Sequence, residues 1–334
     1  MQKLLTIVVP VYKVEAYINK CLDSLIIAPE LMDRMDVLII NDGTPDHSAE
    51  MSREYVKRFP GVFRQIDKEN GGHGSVWNMG VKEAYGKYVK FLDSDDWLEN
   101  LDVMVQKLEQ TDADLIVMPC ITHNPGNERW KLEIKDMEFD HVYDADQFDW
   151  LGNRSHGNYI FHHCAVYKTE MFRQYLPLFL EKQPYDDIVL AAAPIIGAKT
   201  LVAWDLPVYQ YLMDRVGQSI SLEVQLKNVR AMIRAHQEVI VFVESHPVPF
   251  SSTKNAFFKK RLPNYYSFGH RSLLSILPYK EAKRYSKEWD AWTKERNPGM
   301  QSVWIKLYRA LPFPLYWLCH KGLTCITNIR SNKR

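Results

Sequence analysis

The sequence predicts an α/β fold, a mostly parallel sheet flanked by helices, followed by a helical C-terminal region. Leu4-Leu5-Thr6-Ile7-Val8-Val9 and Asp36-Val37-Leu38-Ile39-Ile40 are continuous apolar, largely β-branched runs, the pattern of parallel strands buried on both faces. Stretches with helical apolar spacing separate such runs, and a strand, helix, strand order requires a right-handed crossover. From Leu222 the alternation gives way to helices alone, so 1–221 reads as one α/β domain and 222–334 as a helical region.

The first strand stops at Pro10-Val11-Tyr12, and from Glu15 the apolar positions Ile18, Cys21, Leu22, Leu25 and Ile26 recur at helical spacing. The second strand breaks at Asn41-Asp42-Gly43-Thr44-Pro45-Asp46, a run of turn formers. The spacing then predicts a helix over Ser48 to Phe59, a strand over Val62 to Ile66, a helix over Gly74 to Tyr85 and a strand over Tyr88 to Leu92. A helix over Leu98 to Gln110 and a strand over Asp114 to Met118 complete the alternation. Beyond Met118 the pattern is irregular until Cys164-Ala165-Val166-Tyr167, a further strand, and a helix is expected over Val224 to Val243. In such sheets ligands sit outside the carboxyl ends of the strands. Pro10 to Tyr12, Asn41 to Asp46 and Asp93 to Asp96 all fall there.

Composition sets outer bounds. A chain of 334 residues with 46% hydrophobic and 25% charged content is ordinary for a soluble globular protein of one large or two moderate domains. The formal net charge of +1 hides an asymmetry: Ser251 to Arg334 holds 17 Lys or Arg against 4 Asp or Glu, while Met1 to Phe250 holds 25 against 37. Cys21, Cys120, Cys164, Cys319 and Cys325 form no Cys-x-x-Cys pair, so neither a disulfide framework nor a zinc site is expected and a reducing cytoplasm is the default. Met1 to Val9 is too short for a signal peptide, and no uncharged apolar stretch of about 20 residues suggests a spanning helix.

Phe91-Leu92-Asp93-Ser94-Asp95-Asp96 ends an apolar strand in three carboxylates within four residues. That charge is costly unless a cation sits there, and carboxylates with open coordination positions present Mg²⁺ or Mn²⁺ to substrate phosphates. The competing reading makes Asp95 and Asp96 the cap and first-turn acids of the next helix. Asp42 reads either as a turn residue or as an acceptor for a nucleotide base. Lys68-Glu69-Asn70-Gly71-Gly72-His73-Gly74-Ser75 resembles a phosphate-cradling loop before a helix, without the Gly-Lys-Ser ending of a P-loop.

The order Val9-Pro10-Val11-Tyr12, Asn41-Asp42-Gly43, Asn70-Gly71-Gly72, Asn78-Met79-Gly80, Gly86-Lys87-Tyr88 and Phe91 to Asp96 resembles glycosyltransferase family 2. The match is close over Leu4 to about Trp97 and looser to about Ser221. The resemblance implies a GT-A (Rossmann-like) fold, with 1–118 the nucleotide-sugar half and 119–221 the acceptor half. It implies an inverting enzyme using a nucleotide-sugar donor and Mn²⁺ or Mg²⁺. Pro10, Val11, Tyr12 and Asp42 would hold the base, Asn70 and Gly71 would line the donor site, Asp93 would lie near ribose and metal, and Asp95 would ligate the metal. Asp187, in Pro184-Tyr185-Asp186-Asp187, would be the general base, with Asp186 standing where the family usually has Glu. Arg215 is the candidate for the donor diphosphate. Trp77 stands where the family often has Arg, which removes an expected donor contact, and His73 is either its substitute or a solvent-exposed loop residue. His162 and His163 suggest a metal pair, but adjacent strand residues face opposite ways, so acceptor contact or packing is expected of them.

The basic C-terminal part carries Phe257, Phe258, Tyr265, Tyr266, Trp289, Trp292, Trp304, Tyr308, Phe313, Tyr316 and Trp317. Plain packing is one reading. The other, supported by the lipid-linked acceptors common in the resembled family, is docking on an anionic membrane surface, which places the protein on the cytoplasmic face of the plasma membrane. No nucleic-acid module is recognisable, so no nucleic-acid partner is expected. The implied function is sugar transfer to a glycan or lipid-linked acceptor in cell-surface polysaccharide synthesis. The alternatives are a nucleotidyltransferase, which would need a glycine-rich loop after the first strand, and a non-catalytic membrane or glycan scaffold.

Overall fold

A computed structural model of the chain describes residues 3–124, 128–135, 137–151, 160–213 and 222–321. Two compact units divide it, one formed by Met1–Val216 with Val248–Lys254 and the other by Gly217–Pro247 with Asn255–Arg334.

The first unit is built on β1 (Leu5–Val11), β2 (Met35–Asn41), β3 (Phe63–Asp67) and β4 (Tyr88–Phe91), paired in parallel in the order β3-β2-β1-β4. Every residue of β2 is buried, as expected for a strand covered on both faces. Helices α1 (Ile18–Asp23), α2 (Pro29–Met32), α3 (Ser48–Arg58), α4 (His73–Glu83) and α5 (Leu101–Glu109) fall between the strands. The strand at Leu115–Val117 does not pair with β4. Ala165–Lys168 lies between them, antiparallel to both, and Thr200–Ala203 and Val142–Asp144 extend the same eight-stranded sheet. Residues before and after position 118 therefore share one sheet.

Two local expectations are corrected. Trp97–Leu98 is not the start of a helix but a short strand pairing with Tyr209–Gln210 in a second, four-stranded sheet. The helix begins at Leu101 behind Asn100, whose left-handed φ of 56° ends the extended segment. Asp95 and Asp96 thus cap no helix.

In the second unit, Val229–Ser245, Phe268–Ile276, Tyr279–Arg296 and Val303–Ala310 are helices. Glu244 accepts from the Tyr266 hydroxyl at 2.6 Å and from Arg296 Nε at 2.6 Å, and Trp289 Nε1 donates to the Tyr266 carbonyl at 2.8 Å. Phe257, Phe258, Tyr266, Trp289 and Tyr316 are buried, and none of the other six aromatics named above is exposed. Five of these rings thus pack inward, while the other six are half-buried. Among the described residues no helix is long and apolar enough to cross a membrane.

Candidate active site

The register of the parallel strands brings their carboxyl ends together. Val11 pairs beside Asn41, the Asp42 N–H donates to the Val11 carbonyl at 3.0 Å, and the Lys68 N–H donates to the Asn41 carbonyl at 3.0 Å. Pro10, Val11, Asp42 and Lys68 therefore sit side by side, with Tyr12 exposed beyond them. Asp42 is buried and organises this end. Its Oδ1 accepts from Lys68 Nζ at 2.5 Å and from the Gly71 N–H at 2.8 Å, and its Oδ2 accepts from the Gly72 N–H at 2.9 Å. Asn70 Nδ2 donates to the Asp42 carbonyl at 2.9 Å. The glycine-loop N–H groups offered to a phosphate by the sequence reading close on this internal carboxylate.

Gly72 turns into α4 with a φ of 82°, and a Cβ there would meet the Lys182 nitrogen at 3.0 Å. At Gly74 a Cβ would lie 2.0 Å from the Leu180 carbonyl oxygen and 3.1 Å from Asp186 Cβ. Glycine at 74 thus lets the start of α4 meet the segment carrying the Asp186-Asp187 pair.

His73 exploits that approach. Its Nδ1 lies 2.9 Å from Asp186 Oδ2 and its Nε2 lies 3.2 Å from Asp93 Oδ1, so one imidazole bridges two acidic motifs 93 positions apart in sequence (93 and 186). It is no solvent-exposed loop residue. Burial lowers the His73 pKa, but the Asp186 and Asp93 carboxylates outweigh it and hold the ring well above its ordinary value. Asp93 Oδ2 meets His162 Nε2 at 3.2 Å. Burial alone would raise the Asp93 pKa, whereas His162 and His73 bring it well below the carboxylate range.

The two other carboxylates of the cluster behave differently. Asp96 accepts from the Tyr209 hydroxyl at 2.7 Å and from the Leu212 N–H at 2.7 Å, which ties the Asp93–Asp96 turn to the second sheet. Burial, Asp93 and Asp95 push Asp96 well above its ordinary pKa. Asp95 is buried beside it. Asp187 lies in the 3₁₀ turn Asp186–Ala191, in the field of His162, Asp186, His73 and Asp93, and burial raises its pKa. Asp187 and Asp93 thus lie near one another, with Asp95 beside Asp96 in the same cluster, while Asp42 stands at the ends of the neighbouring strands. Arg215 lies outside the described residues. A cavity of about 550 Å³ borders Lys68, Asn70, Gly71 and Lys182 but none of the acidic cluster.

Sequence reasoning missed His162 and His163 as a pair. They lie in a turn that ends where the strand begins at Ala165, so the alternation of a strand does not apply and their rings meet at a tilt of 36° with centroids 3.8 Å apart. The buried Lys90 pins this turn, donating to the His162 and Ala165 carbonyls at 3.1 and 3.2 Å, and burial lowers its amine to about 8. Trp77 is buried against the same group, stacked on Phe91 at 4.3 Å and edge-on to His162 at 4.7 Å. The signal available in the sequence was a lysine inside an otherwise apolar strand.

Known proteins resemble this chain in sequence or in fold. A glycosyltransferase designated EpsJ from Bacillus subtilis is 36% identical over 118 residues, 35% of this chain and 33% of that protein. The minor teichoic acid biosynthesis protein GgaB of the same organism is 28% identical over 145 residues, 40% of this chain and 16% of that protein. The matched region thus spans a third or less of these relatives' own lengths. The crystal structure of S. aureus TarS 1–349 with UDP-GlcNAc superposes over 96% of this chain and 91% of its own, with a TM-score of 0.58 at 17% identity. The mannosyltransferase PcManGT of Pyrobaculum calidifontis, solved with GDP-Man and Mn²⁺, gives a TM-score of 0.52 at 13% identity over 98% of this chain and 88% of its own. Both share the GT-A architecture described above. The family model for glycosyl transferase family 2 matches residues 6–176, which takes in nearly all of β1 to β4, Asp42, His73, the Asp93–Asp96 cluster and the histidine turn but stops short of Asp186 and Asp187, and the chain belongs to glycosyl transferase family 2.

Proposed function

We propose that the chain is an inverting, metal-dependent glycosyltransferase moving a sugar from a UDP-sugar to a glycan or lipid-linked acceptor in cell-surface polysaccharide synthesis. The observation that carries this reading is the His73 bridge, which draws the Asp186-Asp187 pair and the Asp93–Asp96 cluster into one site in a family 2 chain. GgaB's role in teichoic acid synthesis and the UDP-GlcNAc held by TarS support the substrate class.

In this reading Pro10, Val11 and Tyr12 flank the base. Asp42 already accepts three hydrogen bonds, and a carboxylate has about four lone-pair sites, so Oδ2 retains capacity for a uracil imide N–H. Asn70 and Gly71 hold Asp42 in place, and Arg215 approaches the diphosphate. Asp187 takes the proton from the acceptor hydroxyl as that oxygen attacks the anomeric carbon. Its raised pKa brings it toward the working pH, where a general base contributes about 10²- to 10⁴-fold. Attack from the side opposite the leaving diphosphate inverts the anomeric configuration.

The residues fit a divalent ion, since Asp93 offers an oxygen within 4.8 Å of ring nitrogens of His162 and His163, with Asp95 close by. Bound there, Mn²⁺ or Mg²⁺ would offset charge on the departing diphosphate as a Lewis acid. The basic surplus of Ser251 to Arg334 supports docking on an anionic membrane, on the cytoplasmic face.

The test is a hydrolysis screen of UDP-, GDP- and TDP-sugars with Mn²⁺. One UDP-sugar is expected to be consumed, Asp187→Asn to abolish transfer with donor binding nearly intact, and Asp95→Ala to weaken metal-dependent donor binding. No turnover of any donor, or wild-type turnover by Asp187→Asn, would defeat the proposal.

A further inference from the structure

We propose that Asp93, His162 and His163 form a mixed nitrogen and oxygen metal site that binds a transition-metal dication in preference to Mg²⁺, without help from the nucleotide. This deepens the reading above and rests on it only for the ion's role in transfer.

Three observations carry the site. One ligand atom from each residue lies within 4.8 Å of the other two. Two ligands bound at about 2.1 Å to one ion stand at most about 4.2 Å apart, so small side-chain rotations close the set. Second, His162 is 3% exposed, with Nε2 on Asp93 and with no hydrogen-bond partner for Nδ1 among the described residues. A buried imidazole with an unmatched nitrogen beside a carboxylate calls for a ligand. Third, the histidine turn is fixed by groups outside the set. Lys90 holds the His162 carbonyl, the Met118 N–H holds the Cys164 carbonyl at 2.7 Å, and the His163 ring packs on Tyr211 with centroids 4.3 Å apart. Ligand orientation is thereby set by the fold before any ion arrives.

The donor set decides the metal class. Imidazole suits Zn²⁺, Fe²⁺, Ni²⁺ and, between them in the affinity series, Co²⁺, with Mn²⁺ the weakest of the transition dications, whereas Mg²⁺ demands oxygen ligands and keeps its waters. Two imidazoles and one carboxylate leave coordination positions open for a diphosphate.

The experiment titrates the metal-free full chain with CoCl₂, MnCl₂ and MgCl₂ by calorimetry, follows Co²⁺ by visible absorption, and uses no nucleotide. Co²⁺ and Mn²⁺ are expected to bind at one site, with Mg²⁺ at least about tenfold weaker. His162→Ala and His163→Ala should each weaken Co²⁺ by at least about tenfold, the scale on which even outer-shell partners act. His47→Ala, at an exposed position, should change nothing. Because His162 is buried, the wild-type chain gives an independent readout. Substoichiometric Mn²⁺ should broaden the His162 and His163 ring resonances before those of other histidines. Equal affinity for Mg²⁺ and Co²⁺, no binding of either transition metal, or unchanged Co²⁺ binding in both variants would overturn the site. A chain that binds Co²⁺ through these rings yet hydrolyses no sugar nucleotide keeps the site and loses the reaction. Turnover that survives both substitutions keeps the reaction and removes the site's ion from it.

Discussion

Asp42 is the residue on which the glycine loop and Lys68 close, and its removal has a size that can be worked out. In Asp42→Ala three donors lose their acceptor: the Lys68 ammonium and the N–H groups of Gly71 and Gly72. Lys68 keeps two neutral acceptors, the Glu69 carbonyl at 2.7 Å and Ser75 Oγ at 2.9 Å. Its charge nevertheless remains at 15% side-chain exposure without a counterion, and removing one partner of a buried pair costs about 3–5 kcal/mol. Asp42→Asn retains one acceptor oxygen but turns donors toward a donor, so its cost should be nearer that of one charge-assisted hydrogen bond, about 1.5–3 kcal/mol.

The assay is denaturant unfolding of both variants combined with amide hydrogen exchange. The Gly71 and Gly72 amides should lose protection together, because both close on the same carboxylate. A double-mutant cycle with Lys68→Met isolates the ion pair and should return a coupling of about 0.5–3 kcal/mol. If Asp42→Ala costs under about 1 kcal/mol and leaves exchange at Gly71 and Gly72 unchanged, the loop is held by other contacts, and the reasoning that ties it to Asp42 is wrong.

Gly74→Ala should cost about 1–3 kcal/mol by overpacking against the Leu180 carbonyl, and transfer should fall about 100-fold as Asp186-Asp187 is displaced. Unchanged thermal unfolding and turnover would refute the close approach. In the metal-free chain His73 should titrate by ring NMR well above about 6.5, and Asp186→Asn should draw it back. Because the folded-state pKa is raised, this stabilisation is fully present below about pH 6.5 and is lost as pH rises through the elevated value. An unshifted His73 curve in Asp186→Asn would show that the carboxylate does not set it.

The parallel half of the sheet was legible because its signal is local. Strands such as β2 are buried on both faces, and a continuous β-branched run has few other uses. The turn residues that end them carried Asp42 and Asp93 with them. What escaped depends on contacts between distant segments. The antiparallel strand Ala165–Lys168 inserts beside β4 across an irregular stretch that gives no register. Trp97–Leu98 is a strand only because Tyr209–Gln210 lies beside it, and the local pattern favoured a helix. His162 and His163 were assigned to opposite faces because the strand boundary was placed too early, and a shift of one or two residues at a boundary reverses such an argument. The basic, aromatic C-terminal part reads identically from composition whether its rings pack inward or meet a membrane, and only the contacts of Trp289, Tyr266 and Tyr316 decide.

The acidic cluster shows why a cation is not needed for the fold itself. Three carboxylates within four residues would repel one another at the mouth of a buried strand, yet the chain divides the load. Asp93 lies between the imidazoles of His73 and His162, and Asp96 is held by a phenol and a backbone N–H, with its pKa raised. Charge that an ion would otherwise neutralise is thus matched by protein groups. It follows that a metal entering at Asp93 would compete with His73 and His162 for that carboxylate. With Asp93 engaged by an ion, His73 would keep Asp186 as its remaining partner at 2.9 Å.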